Sequence, residues 1–160
     1  MCFKKMAQAE RGIAMNPLLE SIVADFDLIS VMDGIRGGMR EQFVAGLSGS
    51  ARQVAIAGMH RELQRPILVV THNMYAAQKI ADDLRECLQE NEVLLYPANE
   101  LIAAETAISS PEMSAQRLEV LLRLAGGFRG IVVVPFAGIR RFQPDLKTMA
   151  ASQIELRTGA

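Results

Sequence analysis

The chain has 160 residues, 50% of them hydrophobic and 22% charged, with 17 Lys+Arg against 18 Asp+Glu for a formal net charge of -1. That apolar fraction excludes a disordered chain, and the balanced charge excludes a strongly basic nucleic-acid module, because phosphate binding leaves a clear Lys/Arg excess. Cys2 and Cys87 with His60 and His72, in no CxxC or CxH arrangement, exclude a disulfide scaffold and a zinc centre.

Aromatics make up only 5% and Trp is absent, so Leu, Ile, Val, Ala and the 9 Met must fill the core. Residues Met1 to Ala14 show no periodicity, and Glu10 and Arg11 interrupt before any apolar signal core develops. They are set aside as a leader, and a cytoplasmic location is expected. The longest uncharged apolar stretch, Gly130 to Ile139, is too short for a membrane span, which takes about 20 residues.

From Pro17 the positions Leu18, Leu19, Ile22, Val23, Phe26 and Ile29 recur at helical spacing, with Asn16 as N-cap. The Asp33 to Gly38 segment is expected to break this helix, and Gln42-Phe43-Val44-Ala45 reads as a short strand before the loop Gly46-Leu47-Ser48-Gly49-Ser50. A helix follows over about Arg52 to Leu63. Ile67 to Thr71 is a β-branched run without alternation, as in parallel strands buried on both faces. A helix from about Met74 to Gln89, capped by Asn73, supplies the crossover to a strand at Val93 to Tyr96.

Pro97 to Ser109 is a connection longer than the usual 2–6 residues of α/β loops. Ser110-Pro111-Glu112 then opens a helix with Met113, Leu118, Leu121, Leu122 and Ala125 on its apolar face, closed by Gly126-Gly127. Gly130 to Pro135 is the clearest buried strand. Alternating strands and helices predict an α/β fold, a three-layer parallel sheet with helices on both faces. Gln153 to Thr158 alternates polar and apolar residues, as a half-exposed strand does. The expected organisation is a leader over 1–14, an α/β domain over 15–144, and a linker with the first strand of a second domain over 145–160, within a longer protein.

In such sheets ligands bind beyond the carboxyl ends of the strands, where the glycine loop is expected to lie. A phosphate loop reads GxxxxGK[ST]: amides cradle phosphates, Lys reaches them and the hydroxyl holds magnesium. Here Gly46, Ser48, Gly49 and Ser50 keep the length, but Ala51, Arg52 and Gln53 stand where Gly, Lys and Ser/Thr belong. Arg52 is a planar fork rather than a compact ammonium, and Gln53 replaces the hydroxyl with an amide. No DExH-type acidic pair follows any strand. The loop therefore reads as a turn with an empty anion site, no cofactor and no catalytic residue; the alternatives are weak anion capture by Ser48, Ser50 and Arg52, an NTP-binding lobe with an atypical loop, or a Rossmann-like binding domain.

At Ala45 to Arg52, Thr71 to Lys79, Leu94 to Leu101, Ser110 to Val120 and Val132 to Pro135 with Arg140 and Arg141, the chain resembles the N-terminal module of the bacterial transcription-repair coupling factor family. That module is itself similar to the excision-repair protein UvrB. The resemblance covers roughly Asp33 to Pro144, and Gln153 to Gly159 is similar to the opening of the family's next domain. It implies a RecA/P-loop-like domain, incomplete here, that has lost ATP binding and serves UvrA docking and autoinhibition. In the family the full-length protein is an ATP-driven DNA translocase that displaces RNA polymerase stalled at DNA lesions and recruits UvrA. ATP and magnesium belong to its C-terminal motor, and the UvrA surface mainly to the following domain. His72 and Asn73, at a position where helicase-like folds touch DNA, and Arg140 and Arg141 are the candidate DNA or partner contacts.

Overall fold

A computed structural model describes residues 16–98, 110–140 and 145 of the chain. The leader, most of the Pro97 to Ser109 connection, Arg141 and the Gln153 to Thr158 strand lie outside the described residues.

The first helical stretch is two helices, α1 (Asn16–Val23) and α2 (Phe26–Arg36), rather than the single helix expected. Asp25 makes the division. Its extended backbone leaves the helix, and its carboxylate accepts the N–H groups of Asp27 at 3.0 Å and Leu28 at 3.2 Å, capping α2. Asp33 and Gly34 do not break α2; it runs on to Arg36 and stops where the Gly37 N–H bonds back to the Asp33 carbonyl.

Next come α3 (Ala51–Leu63), β1 (Ile67–Thr71), α4 (Met74–Cys87), a 3₁₀ turn at Glu90–Glu92, β2 (Val93–Leu95), α5 (Pro111–Ala125), β3 (Ile131–Pro135) and the short α6 (Phe136–Ile139). The three strands are parallel in the order β1-β3-β2, with Ile131 opposite both Ile67 and Val93. β3 is thus central, and every one of its residues is buried. On one face Val93, Ile131 and Val133 pack against Ala77, Ala81 and Leu84 of α4, with Val54 and Ala57 of α3 and Leu19 of α1 completing the layer. On the other, Leu94, Tyr96, Val132 and Val134 pack against Val120 of α5. Helices on both faces of a parallel sheet give the three-layer α/β architecture expected.

Three sequence expectations fail for identifiable reasons. Gln42 to Ala45 is not a strand: it joins no ladder among the described residues, and Phe43 is 94% exposed. An apolar, β-branched run becomes a strand only beside a partner whose backbone groups it can satisfy. β1 is not buried on both faces either. Leu68 is 61% and Val70 49% exposed, because α5 packs over β2 and β3 and leaves that face of β1, one of the two edges of the sheet among the described residues, uncovered by it. On α5, Leu121 packs against the sheet as expected, but Leu118 is exposed and the buried residues are Arg117 and Val120, so the inward stripe is shifted from the one expected. Arg117 can be buried because its Nε donates to the Pro97 carbonyl at 2.7 Å.

Candidate functional site

The glycine loop lies between α2 and α3 rather than between a strand and α3, which corrects the expected strand-to-helix turn. Gly46 (φ +87) and Gly49 (φ +55) hold left-handed backbone, which glycine adopts without steric cost. Between them the chain folds onto the first turn of α3, where the Ala51 N–H bonds to the Ser48 carbonyl at 3.1 Å and the Val54 N–H to the Ser50 carbonyl at 3.0 Å. Ser50 is the N-cap residue, yet its hydroxyl makes no cap bond. Ser48, Ser50 and Arg52 are all exposed, and Arg52 makes no hydrogen bond or ion pair among the described residues.

Gln53 behaves differently from its neighbours. It is only 7% exposed, and its amide Nε2 donates to Asp83 Oδ2 of α4 at 3.0 Å, tying α3 to α4. Its Oε1 is buried without a partner among the described residues. The residue standing where a phosphate loop keeps its magnesium hydroxyl is therefore spent on an interhelical strut. The signal was present in the sequence, since Gln53, Ala57 and His60 share one stripe of α3 at spacings of four and three. His60 is buried too, with Nδ1 3.2 Å from the Arg65 carbonyl. A carbonyl only accepts, so Nδ1 carries the proton. Further along α4, burial, then the charges of Asp83 and Glu86, push the Cys87 thiol above its ordinary range.

Of the remaining candidates, His72 and Asn73 follow β1 at the carboxyl edge of the sheet, and Arg140 follows β3 and α6. Thr71 and Pro135 are register partners, so the residues after β1 and those after β3 leave the sheet side by side. The Thr71 hydroxyl donates to the Asn73 carbonyl at 2.8 Å, and the Asn73 side chain accepts the Ala76 N–H at 2.7 Å. Asn73 is thus a helix cap, while His72 and Arg140 are exposed to solvent on that edge. Replacing Asn73 with alanine is expected to cost about 1 kcal/mol through the lost cap, read as a lower urea midpoint with an unchanged slope. Among the described residues no group of three or more His, Cys, Asp or Glu is placed to hold a metal ion.

No family profile matches the chain. Individual proteins do: a transcription-repair-coupling factor of Bacillus subtilis is 47% identical over 133 residues, 83% of this chain and 11% of the relative. The chain is a homologue of the transcription-repair-coupling factors. A second such factor, from Staphylococcus haemolyticus, is 28% identical over 145 residues, 91% of this chain and 12% of its own length. One from Staphylococcus aureus is 30% identical over 122 residues, 76% of this chain and 10% of its own length. The chain therefore spans about a tenth of the length of the curated relatives it matches.

Proposed function

We propose that this chain is a non-catalytic, UvrB-like contact module of a transcription-repair-coupling factor. In this reading the whole protein is an ATP-driven DNA translocase that removes stalled RNA polymerase at lesions and recruits UvrA, in the cytoplasm. ATP and magnesium then act in its C-terminal motor, outside this chain. The module scaffolds UvrA docking and autoinhibition, with the UvrA surface mainly in the domain that follows, and RNA polymerase and DNA engaged elsewhere in the protein.

The observation that carries the non-catalytic reading is Gln53. A nucleotide-binding loop keeps a hydroxyl free for magnesium at that position, whereas Gln53 is buried and bonded to Asp83. Arg52, at the position of the phosphate-binding lysine, lies in solvent. For DNA, the carboxyl edge offers only His72 and Arg140 among the described candidates, too little positive charge to hold a phosphate backbone alone. No helix among the described residues is long and apolar enough to cross a membrane.

A nucleotide titration tests this. Millimolar ATP with magnesium is expected to leave the melting temperature unchanged, since a ligand that binds only the folded state must raise it. A rise that grows with ATP concentration would establish the alternative, an NTP-binding helicase lobe with an atypical loop. For the partner assignment, residues 1–160 are expected to retain UvrA weakly or not at all in a pull-down; tight retention would move the docking surface into this chain.

A further inference from the structure

Beside the degenerate loop lies an open cleft of about 390 Å³ between α2 and α3, roofed by residues 44–47. Leu28, Val31, Leu47, Ile56 and Met59 supply its walls, and Arg52 is the one charged residue among the described residues that line it. Val44 of the roof is 47% exposed, and the residue before it, Phe43, is 94% exposed. Arg52 sits in the first turn of α3, where the positive end of the helix dipole adds to its own charge.

We propose that this cleft is the docking groove for an acidic amphipathic helix of a protein partner. The proposal rests on the reading of the chain as a contact module and names the surface that makes the contact. An apolar seat with one positive end complements apolar side chains at i, i+3 and i+4 followed by a carboxylate one turn away. Met59 lets the wall adapt, since an unbranched thioether repacks around different side chains. A small amphiphile with an apolar tail and an acid head shares this chemistry in part. It is normally held in a pocket that buries most of its surface, however, and here the groove is open. The functional shift is then local: the helix start that serves a nucleotide in phosphate-loop proteins keeps its positive end and turns it toward a peptide carboxylate.

A displayed library of random 16-residue peptides, selected on the 160-residue chain, tests this. Enriched sequences are expected to combine helically spaced apolar residues with Asp or Glu. Their affinity, read by fluorescence anisotropy of the labelled peptides, is expected to fall about tenfold on Arg52→Glu and to be lost on Leu47→Asp, while Arg52→Lys holds it within about threefold. Arg52 is exposed and Glu is favoured in a first helical turn, so Arg52→Glu leaves the fold intact, as its melting curve will confirm. Failure to enrich any peptide, enrichment of sequences without acidic residues, binding indifferent to both Arg52→Glu and Leu47→Asp, or complete displacement of the peptide by decanoate would overturn the proposal. None of these outcomes bears on the non-catalytic reading, which stands or falls with the ATP titration.

Discussion

Gly130→Ala is expected to destabilise the protein by about 3 kcal/mol or more, in the range that overpacking against an immovable neighbour produces. A Cβ at this position would be driven into the Glu92 carbonyl oxygen and the Phe128 ring, with the Glu92 carbonyl carbon at 2.9 Å behind them. The ring could turn away. The Glu92 carbonyl could not, because it belongs to the backbone that leads straight into β2, and Gly130 itself accepts the Ile67 N–H at the start of β1 at 3.2 Å. One added methyl therefore pushes on all three strands where they begin. Urea unfolding followed by circular dichroism measures it. A midpoint within error of the parent's would show that the strand entrances are not packed as described.

Leu84→Ala comes second, with an expected cost of about 3 kcal/mol. Leu84 is completely buried in the cluster shared by α4, α3 and the central strand. The methyls removed leave a cavity beneath β3, and the surrounding Val93, Ile131 and Val133 are fixed by the ladder and cannot collapse into it. For a chain of this size the loss corresponds to a fall of roughly 6–12 °C in melting temperature. Leu84→Met, which nearly conserves volume, is expected to cost less than about 1.5 kcal/mol, and similar losses for the two variants would contradict the cavity argument.

The parts of the fold that were legible in the sequence are those fixed locally. Asn73 and Ser110 cap helices where the sequence placed them, and the uninterrupted apolar run at Ile131 to Pro135 is the fully buried central strand. What depends on neighbours was not legible. Gln42 to Ala45 has the residues of a strand without a strand to pair with, and Ile67 to Thr71 has the pattern of a central strand although it forms an edge. Periodicity reports which residues favour burial and leaves open what arrives to bury them. The division of the first helix was decided by the Asp25 carboxylate, which offered the backbone a competing set of bonds inside an otherwise continuous apolar repeat.

The candidate site divides in the same way. The three substitutions at Ala51, Arg52 and Gln53 are plain in the sequence and argue against phosphate chemistry there. That Gln53 reaches Asp83, thirty positions away, is a tertiary fact no loop motif contains. The cleft beside the loop was equally invisible, since its walls come from two helices and a segment that the sequence assigned to the sheet.

The strand order has a consequence for how the chain comes off the ribosome. Among the described residues β1 and β2 are not paired with each other, and each finds its ladder partner in β3, so Ile67 must wait for Ile131. Until β3 emerges, two apolar β segments and the helix between them exist without the strand that joins them. Such non-local pairing makes folding slow relative to local helix formation, and it leaves the nascent segments open to association during that interval. A pause placed before residue 131 would lengthen the period in which these segments need chaperone cover.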